Sequence, residues 1–204
     1  MIHVIHGGLA AVDDGLLAQM YQDRKRVFID LLRWDLPVID GRYEIDQFDT
    51  PSAIYLVIAG PDGTHLGSMR LLPTTQPHVL GSIFPFLCED SPPKDANVWE
   101  ISRLCLSRSI RAAERRLVRN RLATVATLFA LDKGISSYCC VADMPWYQQI
   151  LLFGWRCVPL GLPQDLPCGM LAALSIEIDE ETPQLLKNAG IWLQTGSPLV
   201  PARQ

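Results

Sequence analysis

The apolar run AIYLVIA at positions 53–59 constrains the fold more than any other stretch of the chain. Because it does not alternate polar and apolar residues, it predicts a strand that is buried on both faces. A Pro-Asp-Gly turn signal follows at 61–63, and residues 64–72 return as the second arm of a hairpin. That arm carries Arg70, and a charge in a central strand is costly unless a carboxylate meets it. The sequence therefore predicts a central sheet that contains a paired arginine.

The segment from Arg24 to Asp49 can supply the carboxylate. It starts as a helix in which Arg24 and Phe28 share a face, and Trp34 follows a short apolar run. After the helix comes an acidic loop with carboxylates at Glu44, Asp46 and Asp49. Carboxylates bind an ammonium or sulfonium, an arginine binds a carboxylate through its fork, and a tryptophan offers a π face to a cation. The segment favours a pocket for a zwitterionic small molecule, and a solvated acidic loop beside a core tryptophan is the alternative.

The remaining elements predict one α/β domain over residues 1–204, with a loose tail after about residue 196. Helical periodicity covers residues 11–32 and 110–131, and shorter helices start at Pro145 and Thr182. Further strands are predicted at 2–6, 98–107, 135–142, 155–160 and 170–178. We expect residues 73–96 to form a loop with a short helix and residues 162–169 to form a loop. This order predicts an α/β/α sandwich whose twisted sheet is mostly antiparallel.

The strand predicted at 98–107 is interrupted by two charges, Glu100 and Arg103. On a regular strand these two side chains point to opposite faces. They can serve one site only if the strand bulges or bends, which is a common device beside active sites.

Composition excludes several classes of function. The net charge of −4 argues against nucleic acid as a partner, and no apolar run is long enough to span a bilayer. The start MIHVIHGG lacks the regions of a signal peptide, and the 6 cysteines form no CxxC pair, so we expect reduced thiols and a cytoplasmic protein. The 4 histidines show no metal-ligand spacing, so no metal is expected.

A dense basic patch lies on the helix predicted at 110–131. Its arginines are Arg111, Arg115, Arg116 and Arg119, joined by Arg108 and Arg121. A solvated helix face explains such a patch. The alternative is a docking surface for an acidic carrier protein or for the phosphates of coenzyme A.

In order along the chain, the singled-out residues resemble the signature of the acyl-homoserine-lactone synthases, the autoinducer synthases of bacterial quorum sensing. The matching positions are Arg24, Phe28, Trp34, Asp46, Asp49, Arg70, Phe84, Glu100 and Arg103. The strings RKRVF, EIDQFD, RLLPTT and WEISR are also similar to those of the family. The resemblance covers roughly residues 1–180. Each string alone is weak, but their order and spacing are specific.

The resemblance implies a fold similar to that of the N-acetyltransferases, with two central strands that splay into a V around a phosphopantetheine thioester. It also implies a reaction. The amine of S-adenosylmethionine (SAM) attacks an acyl thioester, the methionyl carboxylate displaces the sulfonium to close a lactone, and methylthioadenosine (MTA) leaves. SAM is then a substrate, so no cofactor is expected, and the acyl donor is acyl carrier protein or acyl-CoA.

This chemistry suits the residue types. The amine must be neutral to attack, so a base is required, and Glu100 is the candidate, acting through a water. Asp46 and Asp49 can hold the cationic groups of SAM, and Arg70 or Arg103 can hold its carboxylate. The aromatic lining would come from Phe28, Trp34 and Phe84.

Some of these charges would hold each other. We expect a network of Arg24, Arg70 and Arg103 with Asp46, Asp49 and Glu100. Within it, Arg24 and Asp49 would mainly position the others.

The acyl chain needs an apolar cavity. Its candidate lining is Met69, Ser102, Leu104, Val141, Ala142, Trp146 and Ile150. Many family members that accept 3-oxo chains carry threonine where this chain has Ala142, which favours an unsubstituted chain.

Two other classes of function stay open. A generic acyl-CoA-dependent amine N-acyltransferase would have a glycine-rich pyrophosphate loop where this chain reads SRSIRAAERR. A non-catalytic small-molecule-binding domain would explain the pocket residues but not a buried glutamate beside a thioester groove.

Overall fold

The fold is built on a mixed β-sheet. The structure is a computed structural model that describes residues 1–7, 15–193 and 200–201. Its strands are β1 (Ile2–His6), β4 (Ile54–Ala59), β5 (His65–Pro73), β6 (Val98–Leu106), β7 (Ser137–Asp143), β8 (Arg156–Pro159), β9 (Gln164–Leu166), β10 (Gly169–Glu177) and β11 (Val200–Pro201). A separate small hairpin pairs β2 (Val38–Ile39) with β3 (Tyr43–Glu44). The helices are α1 (Gly15–Arg24), α2 (Val79–Ser82), α3 (Ala112–Lys133), α4 (Met144–Leu151) and α5 (Thr182–Asn188).

The hydrogen-bonded strand order is β11-β1-β4-β5-β6-β7-β10-β8, with β9 paired to β10. The pairs β1–β4, β4–β5, β7–β10, β8–β10 and β9–β10 are antiparallel, whereas β1–β11 and β6–β7 are parallel. The predicted mostly antiparallel α/β sheet is confirmed. The β6–β7 register covers only Val98–Glu100 opposite Ser137–Cys139, although both strands continue beyond it.

The described residues fall into two compact units. The first comprises Met1–Leu71 and Arg103–Leu122 together with β11, and the second comprises Leu72–Ser102 and Ala123–Gln194. The single domain expected from the sequence stays a prediction.

The first unit is built on the hairpin of β4 and β5. Every residue of β4 is buried, as its unbroken apolar run predicts. Helix α3 lies close to β5, because a Cβ atom added to Gly67 would be 2.6 Å from Cγ1 of Val118. Close approach of this kind requires glycine in the strand.

The second unit packs β7 and the start of β6 against the later part of α3. The Tyr138 hydroxyl donates to the carbonyl of Ala126 at 2.9 Å, and the rings of Trp99 and Phe129 meet edge to face. Helix α4 begins where the Asp143 carboxylate accepts a hydrogen bond from the Trp146 N–H, with Pro145 in the first turn.

One local prediction was wrong. The loop expected at 162–169 contains β9, which backbone pairing with β10 stabilises. The described part of the helix expected over 11–32 is α-helical over Gly15–Arg24 and continues as a π-helix over Lys25–Leu31, a wider winding that side-chain periodicity does not distinguish. Residues 11–14 lie outside the described residues. The loose tail expected after about residue 196 stays a prediction: Val200–Pro201 pairs with β1, and 194–199 and 202–204 lie outside the described residues.

Candidate functional site

A cluster of buried charges lies in the first unit. We call it the ion cluster, and it comprises Arg24, Arg70 and Arg103 with Glu44, Asp46 and Asp49. Its arginines come from α1, β5 and β6, and its carboxylates come from β3 and the loop that follows it. Residues far apart in the chain therefore meet in one ionic network.

Arg24 anchors the acidic loop to α1. Its guanidinium donates to both oxygens of Asp49, at 2.8 and 2.9 Å, and its Nε donates to Glu44 at 2.5 Å. The Arg24 side chain is only 1% exposed. Bidentate geometry of this kind fixes orientation as well as charge, which agrees with the positioning role predicted for Arg24 and Asp49.

Arg70 meets the carboxylates that the sequence predicts for it. It donates to Asp46 at 2.6 and 3.1 Å and lies 2.9 Å from Asp49. Its side chain is 0% exposed, so without these partners it would be a buried unpaired charge. The predicted pairing of this strand arginine with the acidic loop is confirmed.

Arg103 enters the cluster through a distorted strand. Its φ of 50° lies in the left-handed region, which is uncommon for a residue with a side chain. Its guanidinium bonds to Glu44 at 3.1 Å and to Asp46 at 2.7 Å. The irregularity predicted between Glu100 and Arg103 is therefore present at Arg103 itself.

The third carboxylate of the ion cluster is Glu44, where the sequence-based network had Glu100. Glu44 is completely buried and is bonded to both Arg24 and Arg103. A glutamate in an acidic loop gives no sequence signal that separates it from a solvated one. Its alternation with Asp46 was visible, but its burial was not.

Burial and neighbouring charges shift the pKa of Asp49 in opposite directions. Burial alone would raise the pKa of Asp49, but the neighbouring charges of Arg24 and Arg70 and the Arg24 hydrogen bonds hold that pKa far below its usual range. Burial and the Asp49 charge raise the pKa of Tyr55, whose hydroxyl donates to Asp49 at 2.7 Å. The cluster thus holds an ionised Asp49 beside a neutral tyrosine.

An aromatic pair lies beside Arg103. The rings of Phe28 and Trp34 are stacked, with centroids 5.0 Å apart and planes at 18°, and the Arg103 guanidinium lies 5.5 Å from the Phe28 centroid. The π-helical turn brings the pair together, and the Trp34 N–H donates to the carbonyl of Phe28. Phe28 is buried, whereas Trp34 keeps part of its surface accessible. The accessible indole face is suited to a cation or a nucleobase.

Glu100 lies in the second unit and is 1% exposed. Its two oxygens accept hydrogen bonds from the backbone N–H groups of Val79 at 3.2 Å and Leu80 at 2.6 Å. These donors belong to the first turn of α2, so the helix holds the carboxylate in one orientation. Phe84, which follows α2, packs against a buried apolar group that includes Leu80.

That apolar group touches one residue of the predicted acyl lining, Val141, which packs against it. The buried members of the group are Leu80, Leu87, Cys139, Leu171 and Ala173. Ala142 and Ile150 are also buried in the second unit, and Trp146 contacts Phe153 edge to face. In the first unit Met69 is buried and Leu104 is half-buried, and Ser102 of the second unit is half-buried as well. Their role in acyl binding stays a prediction.

The arginines of the basic patch differ in their contacts. Arg115 donates to the carbonyls of Ile110 and Arg108, and Arg119 donates to the side chain of Asn120. Arg111 and Arg116 are exposed. Arg115 and Arg119 therefore shape the start of α3. Arg108 is exposed as well, and the exposed members are the better candidates for docking a partner.

A group of possible metal ligands in the second unit was missed from the sequence. One donor atom each of His78, Glu100 and Cys139 lies within 4.8 Å of the other two. The residues come from three separate elements, so their spacing in the chain gives no ligand motif. The expectation of no metal was based on that spacing.

Comparisons with known proteins agree on one family. The family model described as autoinducer synthase matches residues 10–186. An acyl-homoserine-lactone synthase of Ralstonia nicotianae is 39% identical over 201 residues, covering 96% of this chain and 98% of that protein.

Solved structures agree with this result. The CoA-dependent acyl-homoserine lactone synthase BjaI, solved with SAM and isopentyl-CoA, superposes with a TM-score of 0.84 at 25% identity, covering 98% of this chain and 92% of that chain. TofI, in a ternary complex with an inhibitor and MTA, gives a TM-score of 0.76 at 29% identity, covering 94% and 100%. A putative N-acetyltransferase from Lactobacillus plantarum gives a TM-score of 0.54 at 17% identity over 87% of this chain and 99% of that one, which shows a likeness of fold.

Among the described helices, none has both the length and the apolar character needed to cross a membrane.

Proposed function

Because the chain belongs to the autoinducer synthase family and is an acyl-homoserine-lactone synthase, we propose that its ion cluster and its Phe28–Trp34 pair bind SAM. The observation that carries this assignment is the meeting of paired guanidinium and carboxylate groups with an accessible aromatic face. SAM bears an ammonium, a sulfonium, a carboxylate and an adenine, and this group of side chains has a partner for each of them.

The exposed fractions of the three arginine side chains suggest two different roles within the ion cluster. The side chains of Arg24 and Arg70 are 1% and 0% exposed, whereas that of Arg103 is 9% exposed. We assign Arg103 and its partner Asp46 to substrate contact, because they are at the accessible side of the cluster. Arg24, Arg70 and Asp49 then form the support that fixes those two groups.

Glu100 is our candidate for the base in acyl transfer. A proton must leave the methionyl amine as its nitrogen forms a bond to the acyl carbon and the thiol departs. The two N–H donors from Val79 and Leu80 hold the Glu100 carboxylate in place, which supports such a role. In the second step the methionyl carboxylate oxygen bonds to the carbon beside the sulfonium, the carbon–sulfur bond breaks, and MTA leaves.

The acyl donor is a thioester of acyl carrier protein or of coenzyme A. The exposed arginines Arg111 and Arg116 suit the acidic surface of a carrier protein and the phosphates of coenzyme A equally. Ala142 supports an acyl chain without a 3-oxo group. We propose the cytoplasm as the compartment, since both kinds of donor are made there.

A product assay tests the proposed function. The purified chain is incubated with SAM and with acyl-CoA or acyl carrier protein thioesters of several lengths, and the products are identified by mass spectrometry. We expect an acyl-homoserine lactone and MTA in equal amounts. An amide without MTA would instead indicate a generic N-acyltransferase, and the absence of any product would indicate a binding module.

A further inference from the structure

The group formed by His78, Glu100 and Cys139 has the composition of a metal site. The three donor atoms lie within 4.8 Å of one another, and the residues are 5%, 1% and 0% exposed. Glu100 and Cys139 are register partners on β6 and β7, so their side chains share one face of the sheet. His78 immediately precedes α2, whose N–H groups already hold Glu100. Three elements of the second unit thus converge on one point.

The ring of His78 is prepared to accept a ligand. Its Nδ1 lies 2.9 Å from the carbonyl oxygen of Gln76, which can only accept, so Nδ1 carries the proton and Nε2 keeps its lone pair. Nε2 is buried and has no hydrogen-bond partner among the residues that the structure describes. A buried polar atom without a partner is destabilising and needs an explanation. Metal-binding histidines commonly donate their second ring N–H to a carbonyl in this way.

The surroundings of His78 allow entry to the site. A surface pocket bordered by Thr74, Ser82 and Pro93 is lined by His78 and Gly81. A Cβ atom on residue 81 would lie 2.6 Å from Cε1 and 2.7 Å from Nε2 of His78, so a side chain there would collide with the ring on the side of the lone pair. An ion could reach the ring from this pocket.

One nitrogen, one carboxylate oxygen and one sulfur form a mixed donor set that suits zinc better than magnesium or calcium. We propose that His78, Glu100 and Cys139 bind a zinc-class divalent cation, and that the bound ion inhibits synthesis by occupying the Glu100 carboxylate. The binding site stands on the geometry alone, whereas the inhibition rests on the proposed role of Glu100 as the base.

Cobalt serves as a spectroscopic substitute for zinc in the test. The full chain is freed of metal with a chelator and titrated with cobalt, and we expect a near-ultraviolet charge-transfer band from thiolate to cobalt that zinc abolishes. His78→Gln and Cys139→Ser should each weaken binding by at least about tenfold, as losses near metal sites do. Cys140→Ser is the matched control, because Cys140 is also buried on β7 but points to the opposite face.

The outcomes separate clearly. A missing thiolate band, or binding that His78→Gln leaves unchanged, would overturn the site. Circular dichroism checks each variant, and if Cys139→Ser does not fold, the His78→Gln result decides on its own. A band that is present while zinc leaves lactone synthesis unaffected would overturn only the inhibition. If the metal-free chain makes no lactone from any donor, the proposed function fails, but the cobalt spectrum still tests the site.

Discussion

At the scale of single residues, the ion cluster is electrically balanced. Its guanidinium groups at Arg24, Arg70 and Arg103 face an equal number of carboxylates at Glu44, Asp46 and Asp49. Burying such charges is tolerable because each has at least one opposite partner, and removing one partner leaves the other unpaired at high cost. The cluster is therefore preorganised, and a charged substrate can exchange partners with it without ordering new side chains.

Asp49→Asn tests this balance. Because Asp49 pairs with two buried arginines, we expect the free energy of unfolding at pH 7 to fall by about 3–5 kcal/mol. The folded-state pKa of Asp49 is depressed, so its stabilisation is present above the unfolded pKa of about 3.9 and is lost as the pH falls through and below that value. The variant should therefore lose less stability than the parent in that acidic range.

Urea unfolding at several pH values measures both effects. Asp30→Asn is the matched control, since Asp30 pairs with Lys25 at the surface and should contribute less than about 1 kcal/mol. Equal losses for the two variants would contradict a buried network.

Glu100→Gln tests the base. The amide keeps an oxygen acceptor for α2 but cannot take a proton, so we expect kcat to fall by about 10²–10⁴ while SAM still binds. Calorimetric SAM binding and initial rates of lactone formation check this, with Glu89→Gln as an exposed control. A rate within twofold of the parent would remove Glu100 from the role.

Sequence reasoning reached some of these residues and not others, for physical reasons. Arg70 was identifiable because a charge in an apolar strand demands a partner, and the acidic loop was the nearest source. Glu44 was not assigned to the network because burial decides which carboxylates of a loop are used. His78 was missed because its Nε2 keeps a lone pair only when Nδ1 donates to the Gln76 carbonyl, and that contact is visible only in the structure.

At the scale of elements, the strands followed their patterns. The β4–β5 hairpin was predictable because an unbroken apolar run and a turn signal specify it locally. The π-helical turn at Lys25–Leu31 was not, because it differs from an α-helix by backbone winding and not by composition. Likewise β9 exists because β10 offers it a partner, and pairing between strands is not encoded in either strand alone.

Gly67→Ala tests the contact between β5 and α3. The added methyl group would lie 2.6 Å from Val118 Cγ1 and 3.2 Å from the carbonyl of Cys105, so we expect a loss of about 1–3 kcal/mol in unfolding free energy. Combining it with Val118→Ala should cost less than the sum of the two changes, because the second removes the clashing atom.

Thermal unfolding of the single and double variants provides the measurement. Gly15→Ala at the start of α1 is the control, because a Cβ there meets no atom of the described residues within 4 Å, and the change should be neutral or slightly stabilising. Full additivity of the two losses would argue against the close approach.

At the scale of the whole molecule, the charge is unevenly distributed. The net charge is −4, yet arginines are concentrated at the start of α3. An acidic protein with one basic surface can repel most anions at long range while docking one class of anionic partner at that surface. Arg111 and Arg116 are exposed members of the patch on the helix and its first turn, and Arg108 lies exposed just before them.

Charge reversal at Arg111 or Arg116 tests the docking surface. We expect either change to raise the KM for the acyl donor by about tenfold at low ionic strength and to leave the KM for SAM unaltered. The effect should shrink as salt is added, because exposed charges are screened. Lys133→Glu, at the opposite end of α3, is the control. Donor kinetics that stay constant would identify the patch as a solvated helix face.

The π-helical turn at Lys25–Leu31 also fixes the number of residues between α1 and Trp34. Omitting one amino acid there would let the backbone rewind as an ordinary α-helix with fewer residues in each turn, so that Phe28 and Trp34 would be separated by one residue less. The stacked rings of Phe28 and Trp34 would then part. A homologue with a deletion of a single position in this segment is therefore expected to lack the stacked pair that Phe28 and Trp34 form here.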